Sequence, residues 1–147
     1  MVTIVALILA ILDEDTSNQT MAAIIGENND LITAHTFRSA LNALMNSKID
    51  LVICDIGLFE NQSSFTSGFD FLSWVKHDPE LAHVPFVCFT VKRMINQPFV
   101  NGVRTAAKAL GAESCIAMEQ FDNILLETEV KRLLNGQQDQ AFLDVAS

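Results

Sequence analysis

The chain of 147 residues is half hydrophobic and carries 9 Lys and Arg against 18 Asp and Glu, a formal charge of -9. That length and apolar share suit one folded domain with a real core and exclude a disordered chain. The acidic balance argues against binding to nucleic acid or to an anionic membrane, since either needs a basic footprint, and is compatible with a cation or a basic protein surface.

Thr3 to Leu12 is an apolar run rich in Ile, Val and Leu. No Lys or Arg precedes it, no small-residue cleavage site follows it, and it is too short to span a bilayer, so it reads as a buried first strand and not as a targeting segment. It ends on Asp13-Glu14-Asp15, where a helix from about Ser17 to Gly26, capped by Thr16 or Ser17, would offset the crowded charge. Leu31 to Phe37 reads as the second strand, and Arg38 to Asn46 as a helix with Ala40, Leu41, Leu44 and Met45 on one face. Leu51 to Cys54 is a continuous apolar run that stops on Asp55, the pattern of a strand buried on both faces. A polar loop, Gly57 to Ser67, leads to a third helix opening at Gly68, with Phe69, Leu72 and Val75 as its stripe and its end near Asp78-Pro79. Pro85 to Thr90 is the fourth strand and Lys92 to Asn101 a polar linker. Gly102 to Leu110 is an Ala-rich helix closed by Gly111, Ser114 to Met118 a short fifth strand, and Phe121 to Leu134 the last helix. Gly136 would end it, making 1–135 a single domain and 136–147 a loose C-terminal tail. Cys54, Cys88 and Cys115 lie in apolar runs with no C-x-x-C pair, which suits buried free thiols in a reducing cytoplasm.

Strands alternating with helices imply an α/β fold with a parallel sheet and helices on both faces. In such a sheet the strand ends share one crevice, so Asp13-Glu14-Asp15, Asp55 and Thr90 are expected to meet. Several carboxylates in one place need a cation or protons, and a hard divalent ion such as Mg²⁺ is the natural partner. A nearby hydroxyl could bond a phosphoryl oxygen, so the set suits phosphoryl transfer to a carboxylate.

From about residue 3 to 134 the chain resembles the receiver domain of two-component response regulators. Leu12-Asp13-Glu14-Asp15-Thr16-Ser17-Asn18 is similar to that family's acidic opening after the first strand, and Leu51 to Ile56 to its phosphoacceptor strand. Gly68-Phe69-Asp70-Phe71-Leu72, the Asp78 to Val87 stretch, Thr90 and Gly111-Ala112 follow in the family's order. The resemblance implies a doubly wound, flavodoxin-like (βα)5 sandwich with sheet order 2-1-3-4-5. It also implies that Asp55 accepts a phosphoryl group from a histidine kinase or phosphotransfer protein. Asp13, Glu14, Asp55 and the Gly57 carbonyl would hold Mg²⁺, and Thr90 would be the switch hydroxyl. Such a stand-alone receiver signals to a downstream protein partner rather than acting as an enzyme, and a homodimer is compatible with the family.

The departures are specific. Met118, followed by Glu119, stands where the family carries a Lys, and Glu14 replaces the usual metal-proximal Asp. The aromatic switch position falls on Cys115, and the chain has no Tyr. The loop after Asp55 is long and lacks the common Pro, and the Thr90 to Gly111 connection is extended. Lys92 or Arg93 could supply the lost cation, although a solvated role is the simpler reading. The alternative is a pseudo-receiver, the same fold used as a protein-binding module with little or no phosphorylation. A phosphatase of the haloacid-dehalogenase type, suggested faintly by Asp13-x-Asp15, is disfavoured because no acidic pair follows a later strand. His35, His77 and His83 show no metal-ligand spacing.

Overall fold

A computed structural model of the chain describes residues 6–12, 29–56, 67–91, 97–118 and 122–146. Five strands form one parallel sheet in the order β2-β1-β3-β4-β5. They are β1 (Ala6–Ile11), β2 (Asn29–Ala34), β3 (Leu51–Asp55), β4 (Phe86–Val91) and β5 (Ser114–Met118). The helices among the described residues are α1 (Phe37–Asn46), α2 (Gly68–His77), α3 (Gln97–Ala109) and α4 (Asn123–Ala146). This is the expected α/β architecture and strand order. The helix expected from Ser17 to Gly26 lies outside the described residues.

The apolar runs became central strands because a parallel sheet buries both of its faces. One face, with Leu9, Ile11, Val52, Cys54, Phe86, Cys88 and Cys115, packs under α1, α2 and α3. Phe71 of α2 is at the centre of that layer, stacked on Phe37 at 5.5 Å and tilted against Phe86 at 6.4 Å. Phe71 is fully buried with Leu72 and Val75, while Trp74 is exposed. Burying one such ring contributes roughly 1.5–3 kcal/mol. The opposite face carries Ile8, Ala10, Leu51, Ile53, Val87 and Phe89 and is covered by Leu126 and Val130 of α4.

Some boundaries differ from the sequence reading. Thr36 is the cap of α1, its hydroxyl accepting from the Ser39 amide, so the chain leaves β2 at Ala34 and Phe37 already belongs to the helix. α3 begins at Gln97, inside the expected linker, because Pro98 falls in the first turn where its missing N–H costs nothing. α4 runs to Ala146 through Gly136, where a loose tail was expected. A single helical glycine costs only about 1 kcal/mol relative to Ala, and the Gln, Ala and Leu residues after it favour helix.

At the amino ends of β4 and β5, Lys76 ties the layers together. Its Nζ donates to the Val84 carbonyl at 2.8 Å, the Ala82 carbonyl at 3.1 Å and Glu113 Oε1 at 2.9 Å. Glu113 in turn accepts from the Phe86 amide. Gly111 closes α3 at φ +110°, a region that disfavours other residues. Across β3, β4 and β5 the register also sets Cys54, Cys88 and Cys115 in one row, all buried and free.

Candidate functional site at the carboxyl edge of the sheet

Asp55 is the last residue of β3 and is half buried. Its neighbours across the sheet are Phe89 on β4 and, one strand further, Ile116 on β5. The Ile56 amide donates to the Phe89 carbonyl at 3.0 Å, so the backbone is held in register to the residue after the carboxylate. On the other side β1 pairs Ile11 with Cys54, so Leu12 reaches the level of Asp55 and the Asp13-Glu14-Asp15 run follows from there.

The start of α2 packs directly on this strand end. A Cβ added at Gly68 would lie 2.9 Å from the Ile56 Cα, 3.0 Å from the Ile56 carbonyl oxygen and 3.2 Å from that of Asp55. All three are backbone atoms that cannot rotate aside, so only glycine lets the helix sit this close. The Ser67 side chain caps the same turn by accepting from the Asp70 amide.

Thr90, one residue past Phe89, is 2% exposed. Among the described residues no hydrogen bond is made by its hydroxyl.

β5 ends differently. Met118 is 2% exposed and joins Phe89, Leu126 and Val130 in the layer under α4. It stands two residues beyond Ile116 on the same face of the sheet, the face toward which Asp55 also alternates. Its sulfur accepts from the Asp122 amide at 3.4 Å, at the start of α4. No cation stands at this point of β5.

Cys54, directly before Asp55, directs its thiol to the Asp55 carbonyl at 3.6 Å. Burial pushes this thiol well up, and the Asp55 carboxylate adds to the effect. It is therefore protonated and unreactive at neutral pH. Cys88 and Cys115 are raised for the same first cause, burial.

The structure thus brings Asp55 and Thr90 to neighbouring strand ends, while Asp13, Glu14 and Gly57 lie outside the described residues. Among those described, no group of three His, Cys, Asp or Glu is arranged to hold a metal, and the acidic set expected to do so includes Asp13 and Glu14. The donors available by sequence are carboxylate and carbonyl oxygens, which fit a hard divalent cation. Sequence reading missed two supporting residues. Gly68 reads in sequence as a helix start and as part of the family-like motif, and its close contact with Asp55 and Ile56 depends on tertiary packing that no local pattern reveals. His35 was set aside for want of metal spacing, yet its Nδ1 bonds the Leu12 carbonyl at 2.9 Å.

No family model matches the chain, and no curated protein does. Solved structures do match. The signal receiver domain of a signal transduction histidine kinase from Syntrophus aciditrophicus is 23% identical, with a TM-score of 0.68 over 89% of this chain and 91% of that one. The phosphorylated cyanobacterial phytochrome response regulator RcpA is 19% identical, with a TM-score of 0.65 over 88% and 91%. The Mn²⁺-bound form of response regulator Rcp1 is 20% identical, with a TM-score of 0.63 over 87% and 91%. At such identities the likeness establishes the fold, and the fold is that of receiver domains. No helix among the described residues is long and apolar enough to cross a membrane.

Proposed function

We propose that this chain, having a receiver fold, is a response-regulator receiver that accepts a phosphoryl group on Asp55 and is a signalling module rather than an enzyme. The observation that carries this reading is Asp55 at the end of β3, one strand from the buried Thr90 at the end of β4. In the transfer an Asp55 carboxylate oxygen bonds to phosphorus while the bond from phosphorus to the donor nitrogen breaks. The electron pair stays on the donor imidazole, which takes up a proton, and an acyl phosphate remains on Asp55. Thr90 donates its hydroxyl to a phosphoryl oxygen. Asp13, Glu14, Asp55 and the Gly57 carbonyl would hold Mg²⁺, which neutralises charge on the phosphoryl group. The Mn²⁺-bound and phosphorylated neighbours support both parts. A histidine kinase or phosphotransfer protein is the donor, a downstream protein reads the result, and buried free thiols suit the reducing cytoplasm.

Met118 favours a second reading. Its burial in an apolar layer removes the ammonium that would hold another phosphoryl oxygen, as expected of a pseudo-receiver that binds a partner without being phosphorylated.

Intact mass after incubation with a small acyl phosphate decides between them. One added phosphoryl group that requires Mg²⁺ and disappears in Asp55→Asn supports the receiver. No addition, under conditions that label an ordinary receiver, leaves the pseudo-receiver.

A further inference from the structure

α2 is held at both ends. Its first residue, Gly68, has no slack, since a Cβ there would lie 2.9–3.2 Å from backbone atoms of Ile56 and Asp55. Its other end is fixed by Lys76, whose side chain is 8% exposed. An ammonium has three donors, and three groups receive them: the Val84 carbonyl at 2.8 Å, the Ala82 carbonyl at 3.1 Å and the Glu113 carboxylate at 2.9 Å. The Lys76 stem lies against Gly111, where an added Cβ would come within 3.1 Å of its Cγ. Glu113 is itself anchored, its carboxylate accepting from the Phe86 amide and its own amide donating to the Phe86 carbonyl at 3.0 Å. The end of α2 is thus tied to the first residue of β4 and to the residue before β5. Between Gly68 and Lys76 lie about 12 Å of helix, too short to bend appreciably, so an axial displacement at one end reaches the other.

We propose that Lys76 is a positioning residue for Asp55. It sets the axial place of α2 from the amino edge of the sheet, and Gly68 carries that setting to the Asp55–Ile56 backbone at the carboxyl edge. A buried ion pair is often no more stabilising than apolar packing of the same volume, so the contribution of this one is geometry. The inference rests on Asp55 being the phosphoacceptor. Misplacing a reacting group by about 1 Å can slow a reaction roughly a hundredfold. Phe71, Leu72 and Val75 still pack α2 on the sheet, so loss of Lys76 alone should slow labelling about tenfold.

The test compares the unaltered chain with Lys76→Met, Glu113→Gln and Val130→Ala, each at a temperature where it is fully folded. Lys76→Met keeps the stem and loses every donor. Glu113→Gln leaves Lys76 its two carbonyl partners, and gives the same comparison if Lys76→Met does not fold. Val130→Ala, a core deletion on the other side of the sheet from α2, controls for lost stability. Expected in Lys76→Met is an about tenfold lower maximal rate of Asp55 labelling at saturating acyl phosphate and Mg²⁺, and about threefold in Glu113→Gln. The donor concentration for half-maximal rate should not change. The Asp55, Ile56 and Gly68 amide resonances should shift in Lys76→Met, although Gly68 is about 12 Å of helix away, and stay in place in Val130→Ala, which should label normally. Unmoved resonances with a normal maximal rate in Lys76→Met overturn the inference, as does equal slowing in Val130→Ala, which would trace the loss to stability alone. If the unaltered chain takes no label, the phosphoacceptor reading falls and the inference with it; moved resonances would then show only a braced helix.

Discussion

β3 and β5 end on the same edge of one sheet, and they end in opposite ways. β3 stops on a half-buried carboxylate, with a glycine-only helix contact behind it. β5 stops on a thioether turned into the core and bonded to the first residue before α4. Backbone packing is tight behind Asp55, while the end of β5 is part of the core. The fold can therefore tolerate an apolar residue at the end of β5 at no cost in burial, but it cannot tolerate a side chain at Gly68.

Substitutions can break that comparison. The largest effect is expected at Gly68→Val, whose Cβ would meet fixed backbone of Asp55 and Ile56. Overpacking of this kind costs about 1–3 kcal/mol or more, read as a lowered midpoint in urea, and labelling of Asp55 should slow as well. A normal midpoint would mean that α2 can shift freely and that the contact does not brace the site. Next is Met118→Lys. It places an amine in an apolar layer, so stability should fall by about 1–3 kcal/mol. Yet labelling by an acyl phosphate should accelerate, since the ammonium can reach toward the crevice. Lower stability with unchanged labelling would show that the β5 cation is dispensable here. Thr90→Val is smaller: removing a buried hydroxyl that has no partner among the described residues should leave stability within about 1 kcal/mol or raise it, while labelling slows. The smallest effect concerns Glu129, held below the usual carboxylate range by the Arg132 guanidinium and then by the Ser114 hydroxyl. A lowered folded value stabilises above the unfolded carboxylate pKa, and this is lost as pH falls through the folded one. Because the pair is largely solvated, Glu129→Gln should cost only a few tenths of a kcal/mol at pH 7, vanishing in acid.

Much of this was legible in the sequence because buried parallel strands write themselves as unbroken apolar runs. Leu51 to Cys54, stopping on Asp55, announced both a central strand and the carboxyl edge of the sheet. Boundaries set by three-dimensional partners were harder to see. Pro98 looks like linker until it occupies a first helical turn, and Gly136 looks like a stop until the surrounding residues carry the helix past it. The Phe69, Leu72, Val75 stripe does not reveal that α1 supplies Phe37 as the stacking partner of Phe71. His35 is the extreme case. Its hydrogen bond runs from the residue after β2 to the residue after β1, and no spacing along the chain encodes it.

The row formed by Cys54, Cys88 and Cys115 turns the middle of the sheet into its own stopwatch. Each thiol is sealed, with burial raising its pKa, so a soluble disulfide reagent can consume it only during an opening of its strand. Cys115 belongs to the sheet's edge strand and should be consumed first; Cys54 and Cys88 are interior and should follow together. One shared rate would instead mean that β3, β4 and β5 open as a single cooperative unit, so that a signal reaching any one of them is felt by all three.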